Sequence, residues 1–295
     1  MLSPGITVLQ ESQRIGLDNP DPGAAFFNAF TSITYSTGIQ MTPIEIEILI
    51  GIVTGVVVGF TGASGVVVVV PLLTMILNFS MHTAVGTSLF VDMITPLFVA
   101  LSYYRQGNVN LKAGLWLAVG AVIGAQSGAL IANETLSSSL MGKGFIFFLF
   151  LMAVSMWVQS NRAPREIKES QLVRMTNKNR AITFGIGLVL GMISGLFGAG
   201  GGLMFLLVLM IVLKYSTLVA IGTSSLIMAI TAASGTLGYA LQDNVDFSTG
   251  LIIAVSAVLG GVVSARLANK VSEKSLNRIV GVVFACLGVL MVILQ

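Results

Sequence analysis

The chain aligns with itself. Shifted by 136 residues it matches without a gap: GVVVGFTGASG (55–65) falls on GMISGLFGAGG (191–201), AVGTS (84–88) on AIGTS (220–224), and YYRQGNVN (103–110) on YALQDNVD (239–246). Between 51–134 and 187–270, 31 of 84 positions are identical. Apolar composition inflates such a count, but it does not place Gly-Thr-Ser and Gln-x-Asn-Val in one ungapped register. Self-similarity at a long fixed offset means two copies of one structural unit. The copies span about 44–160 and 181–295, and NRAPREIKESQLVRMTNKNR (161–180) joins them as the only long charged stretch.

Each copy is too apolar for water. Hydrophobic residues make up 55% of the chain and charged residues 9%, against about a quarter charged in soluble domains. The fold class is therefore an all-α polytopic membrane protein in the cell membrane. Each copy holds three clear spans, 82–103, 112–132 and 143–160 in the first and 218–240, 248–268 and 275–294 in the second. Ahead of them lie apolar runs, 44–77 and 181–213, each interrupted by its Gly-rich stretch. A spanning helix needs about 20 residues, so each run is long for one crossing and short for two. It is either one long tilted helix or a broken, re-entrant hairpin.

Charge decides between the two, because cytoplasmic loops collect Lys and Arg. With the linker cytoplasmic and a hairpin in each copy, 13 of the 15 basic residues fall inside; with a single crossing the split is 9 to 6. The hairpin reading gives each copy five passes, an odd number, so the second copy lies upside down relative to the first. Residues 133–144 and 242–246 then face outward, and 103–112 and 266–278 face inward. The expected organisation is an N-terminal extension (1–43) that is interfacial, a first membrane repeat (44–160), a cytoplasmic basic linker (161–180) and a second membrane repeat (181–295).

Other classes find little support. There is no basic face or aromatic platform for nucleic acid. Cys286 is the only cysteine and lies in an apolar run, so neither a disulfide nor a thiolate metal cluster is available. The start, MLSPGITVLQESQ, lacks the basic opening and apolar core of a signal peptide. No cofactor and no metal site are expected.

Inverted repeats with interrupted helices are a feature of secondary transporters. Backbone N–H groups freed at a break cannot face lipid, and helix N-termini with free N–H groups suit an anion. Gly62, Ala63, Ser64, Gly65 and Gly198, Ala199, Gly200, Gly201 are thus candidates for a backbone anion cradle. The plainer alternative is close helix packing through small residues.

The Gly-rich GLFGAGGG (195–202) and its degenerate partner GFTGASG (59–65), each followed by AVGTS or AIGTS and then QGNV or QDNV, resemble the TauE/SafE-like sulfite exporters of the toluene sulfonate uptake permease superfamily. The resemblance covers about 44–295. It implies a small anionic substrate of the sulfite, sulfonate or organic-acid type, often exported. One departure is that the first copy has Ser64 where the second has Gly200, and Val66 for Gly202, so the two turns are not expected to contribute equally.

Further site candidates follow from the repeat. Thr87, Ser88, Thr223 and Ser224 are hydroxyl donors for the same anion, unless they bond to their own or a neighbouring helix. Gln106 and Gln242 are pathway candidates at loops where capping and turn formation explain the neighbouring Asn residues. Asp92 reads as the only acid deep in a span. A carboxylate there is costly in its charged form and functional by default, which suits a proton carrier; a carboxyl bonded to a hydroxyl, or to backbone loosened by Pro96, is the structural alternative. His82, the sole histidine, raises a rival class. GASG (62–65) is similar to the nucleophile motif of rhomboid intramembrane serine proteases, which need a Ser64–His82 hydrogen bond. The second copy, GAGG, has no nucleophile, and His82 lies at a span edge, so an enzyme is not expected. An anion channel is the third reading. The expected partners are a small anion, the lipid bilayer and protons, with a homodimer as an option.

Overall fold

The computed structural model describes residues 42–160, 177–198, 201–213, 215 and 217–267, together with 282, 285, 286 and 288–293. Nearly all of the N-terminal extension, most of the basic linker, Ala199, Gly200 and the greater part of the expected last span lie outside them. The described chain is helical: α1 (Pro43–Thr61), α2 (Val66–Ile76), α3 (Met81–Arg105), α4 (Leu111–Thr135), α5 (Ser138–Ser160), α6 (Asn177–Phe197), α7 (Gly201–Ile211), α8 (Thr217–Ala240) and α9 (Phe247–Leu267). Six of these, α1, α3, α4, α6, α8 and α9, are long and apolar enough to cross a membrane. Their outward faces carry large apolar side chains such as Leu97, Ile123, Leu251 and Leu259, as a lipid-facing surface requires. This is a multi-pass membrane protein.

The element ends have local causes. Thr42 and Glu45 form a capping box ahead of Pro43 at the start of α1, which satisfies otherwise orphaned N–H groups. Ser80 caps α3 by accepting the Thr83 N–H (3.2 Å). The apolar run 44–77 is not one long helix. It stops at Thr61, where Gly62 takes the left-handed conformation (φ 63°). Its repeat mate Gly198 does the same after α6 (φ 64°). A side chain there is strained, which is why both copies keep glycine.

Packing follows the repeat. On α1, Gly51, Gly55 and Gly59 lie against Ser256, Ala257, Gly261 and Ser264 of α9, so closely that a β-carbon would collide with the α9 backbone or hydroxyls. In the equivalent place Gly187, Gly191 and Gly195 of α6 lie against Leu117, Ala121 and Ala125 of α4. Small residues let helix backbones touch where no hydrophobic force drives helices together. In both pairs residue numbers rise together, so partners run parallel. Gly250 meets Thr87 and Phe90 while Gly261 meets Thr95 and Val99, so α3 runs with α9. By contrast Gly86 meets Tyr239 and Asn244, and Gly222 meets Tyr103 and Asn108, so α3 and its mate α8 run antiparallel. Two groups of three parallel helices result, α1–α3–α9 and α6–α8–α4, pointing opposite ways. Each group draws two helices from one copy and one from the other, so neither half packs as a unit by itself.

Candidate functional site

The two breaks meet. A β-carbon on Gly202, at the start of α7, would fall 2.5 Å from the Gly62 carbonyl oxygen and 2.9 Å from the Ser64 nitrogen. Gly62 in turn faces Ile221 and Ser224 of α8, and Gly198 faces Val85 of α3. The breaks therefore sit between the antiparallel central helices α3 and α8. Gly65 turns the chain back toward Thr54 and Val58 of α1, at the level of Asp92.

The first break is organised by Asp92, which is 1% exposed. One carboxylate oxygen accepts the Ser64 hydroxyl and the other accepts the Gly65 N–H at 2.9 Å. Ser64 Oγ also accepts the Val66 N–H (3.3 Å), and Thr61 Oγ1 accepts that of Ala63 (3.0 Å). The carboxylate thus sits at the N-terminus of α2, where N–H groups and the helix dipole favour a negative group. Pro96, one turn on, supplies no N–H to the Asp92 carbonyl, which loosens α3 there.

The second break has no such residue. The mate of Asp92 is Met228, whose sulfur lies 2.6 Å from the β-carbon position of Gly202. Gly198 and Gly201 are the described members of the second Gly-rich turn, and Gly201 is buried against the Phe205 ring.

The repeated Thr-Ser pair divides its labour. Thr87 Oγ1 accepts the Asp246 N–H (2.9 Å) and Thr223 Oγ1 accepts the Asn110 N–H (3.0 Å). Gly86 and Gly222 give the room, facing the Asn244 and Asn108 carbonyls. Each Gly-Thr-Ser motif therefore clasps the Gln-x-Asn-Val loop of the other copy, and that is why the two motifs recur together. Ser88 and Ser224 donate to carbonyls of their own helices, Val85 (2.8 Å) and Ile221 (3.0 Å). Gln106 and Gln242 are exposed at the ends of α3 and α8, apart from the breaks. The Gln106 amide donates to the Ser102 carbonyl (3.0 Å), beside Arg105 and Arg266 in a surface pocket.

His82 does not approach Ser64. Its ring nitrogens pair with Ser138 Oγ (3.1 Å) and with the Ala132 and Leu136 carbonyls (3.3 and 3.1 Å), fastening α3 to the α4–α5 connection. The Ser64 hydroxyl is given to Asp92, so no nucleophile–base pair exists there.

Asp92 is not the only buried acid: Glu47, in the second turn of α1, is 7% exposed. Its Oε1 accepts the Thr249 hydroxyl of α9 (3.1 Å), while Oε2 is buried without a partner. Lying near the end of an apolar run, Glu47 reads as an interfacial acid. The helical period of Gly51, Gly55 and Gly59 extends back one turn to it, and that was the available signal. Gly202, where the breaks touch, was legible only as the third glycine of a run.

A family model, Sulfite exporter TauE/SafE, matches residues 47–291. The probable membrane transporter protein YdhB of Bacillus subtilis is 31% identical, over 83% of this chain and 98% of its own length. The probable membrane transporter protein YunE of the same organism is 24% identical over 82% of this chain and 95% of its own. The probable membrane transporter protein MJ0441 of Methanocaldococcus jannaschii is 24% identical over 83% and 94%. No solved structure matches. The chain belongs to the TauE/SafE sulfite exporter family of membrane transporters, which is not a family of enzymes.

Proposed function

We propose that this transporter exports a small sulfite- or sulfonate-type anion by a proton-coupled cycle, with its two halves inverted across the bilayer. The observation that carries the reading is the meeting of two unlike breaks, one occupied by the protein's own carboxylate and one lined by glycine and Met228. Asp92 fills the first cradle, made by Gly62, Ala63, Ser64 and Gly65. The anion is held at the second, by backbone N–H groups of Gly198, Ala199, Gly200 and Gly201, with Ser88 and Ser224 alongside. Antiparallel α3 and α8, and the opposite sense of the two three-helix groups, support the inversion. The substrate class rests on the family's printed name.

An inside-negative potential favours expulsion of an anion by about 2.3 kcal/mol per charge per 100 mV. A proton on Asp92 removes a negative charge beside the bound anion, so proton uptake accompanies binding. The test is flux of sulfite and of sulfoacetate in proteoliposomes at several pH values, with and without a proton gradient. Asp92→Asn is expected to keep anion binding, lose most of the pH dependence and stop accumulating anion against a gradient. An unchanged pH profile and gradient response would make Asp92 structural.

A further inference from the structure

Among the described residues, three buried side-chain atoms have no hydrogen-bond partner: Glu47 Oε2, Thr54 Oγ1 and Thr95 Oγ1. All are oxygens, and all lie on α1 or α3. Glu47 and Thr54 are seven residues apart, hence on one face of α1 and about 10 Å apart along it. Thr54 meets Asp92 at Gly65, whose β-carbon position is 2.9 Å from Asp92 Oδ1 and in contact with the Thr54 methyl. Thr95 lies one turn beyond Asp92 on α3, beside Gly261. Thr54 and Thr95 are both fully buried. An orphaned buried polar atom is expensive, so three of them on two helices packed against α9 call for an occupant. Most of this polar column is confined to the first copy: the mates of Glu47, Thr54 and Asp92 are Thr183, Leu190 and Met228, and only Thr95 keeps its residue type, as Thr231, which donates to the Ile227 carbonyl (2.8 Å).

We propose that Glu47, Thr54 and Thr95 line a hydrated proton path to Asp92, with Glu47 as its outer acceptor at the end where α1 and α9 begin. The inference rests on the reading of Asp92 as the coupling carboxylate. A proton leaves the Glu47 carboxyl, passes through water held by the Thr54 hydroxyl, and ends on the Asp92 carboxylate; no other bond changes. A sodium ion fits this column less well. Its oxygens are strung out along the helix instead of ringed about one point, and Ser64 and Gly65 turn hydrogens, not lone pairs, toward Asp92.

The other titratable and charged groups on α1, α3 and α9 have partners or stand at helix ends, exposed Tyr104 among the latter. The Asp246 carboxylate, at the start of α9, accepts the Ser248 and Thr249 N–H groups. Arg266 stands at the far end of α9 and Arg105 at that of α3, where Tyr103 donates to the Gly59 carbonyl (3.2 Å). His82 is held by Ser138 and two carbonyls. Glu45 caps α1, and α2 carries no titratable side chain. Tyr239 of α8 donates to the Gly195 carbonyl.

The experiment needs no substrate. Infrared difference spectra of the full chain in lipid report the protonated carboxyl stretch of Asp92, identified by its loss in Asp92→Asn, and its response to a pH jump is timed. Glu47→Gln is expected to slow that response about tenfold. Thr54→Val is expected to slow it less, with Glu47→Asp and Thr54→Ser restoring it. An Asp92 band that follows the jump equally fast in Glu47→Gln overturns the path while leaving Asp92 as the coupling group. Absence of any Asp92-dependent band from mildly acidic to mildly alkaline pH overturns both.

Discussion

The two breaks share a backbone and differ in chemistry. Gly62 and Gly198 adopt the same left-handed turn, and each is followed by an 11-residue helix. At the first, a carboxylate accepts the N–H of Gly65 and the hydroxyl of Ser64. At the second, the equivalent position holds a thioether. Both helix-interior prolines, Pro71 and Pro96, are in the first copy, and their mates are Leu207 and Ala232. Duplication fixed the scaffold, and divergence then gave one copy a polar, loosened interior and left the other small and apolar. Under the proposed function, symmetric architecture supports asymmetric roles: one break for the coupling carboxylate, one for the ligand.

The sharpest test of the pairing is orientation. Gln106 and Gln242 are repeat mates, both exposed. In a Cys286→Ala background, a cysteine replacing Gln242 should react with impermeant maleimide on intact cells. One replacing Gln106 should react only after the membrane is opened. Labelling of both from the same side would break the inversion. A smaller effect probes the chemical difference. Met228→Asp places a carboxylate at the second break and should weaken anion binding about tenfold or more through like-charge repulsion, whereas Met228→Leu should not. Thermal shift with sulfite or sulfoacetate reads this, and an unaltered shift in Met228→Asp would move the anion elsewhere. The smallest effect concerns what the halves still share. Thr87→Val and Thr223→Val each remove one bond to the partner loop, and each should cost about 1 kcal/mol. Unfolding in detergent should find the two losses similar, since the contacts are equivalent; a loss confined to one would mean that the clasps have diverged as well.

Much of the fold was legible. The six crossing helices among the described residues follow from apolar length, and the breaks from glycine at matching offsets. The pairing of breaks was legible too, because two copies read as inverted are expected to bring equivalent turns together. The site was only partly readable. Sequence could nominate Asp92 and Ser64 separately, but their hydrogen bond joins residues 28 apart through a hairpin whose angle no periodicity encodes. Thr87 and Thr223 looked like ligand donors because repetition in a transporter suggests function. Their partners lie 159 and 113 residues away, in loops whose own motif seemed a separate signal. Glu47 was hidden for a different reason: whether an acid near a helix end faces water or a neighbouring helix depends on that neighbour, here a helix of the other copy.

The interlocking of the helix groups also sets a schedule for biosynthesis. Glu47 enters the bilayer with α1, yet its hydroxyl partner Thr249 lies 202 residues further along the chain. At ordinary elongation rates that interval is about 10–40 s. Until then the glycine face of α1 has no α9 to cover it, and a nascent chain halted at the basic linker carries an acid and a bare backbone stripe into lipid. Such an intermediate is a natural client for insertion chaperones and membrane quality control. A ribosome that stalls between the two copies therefore releases an exposed degradation substrate and not half a transporter.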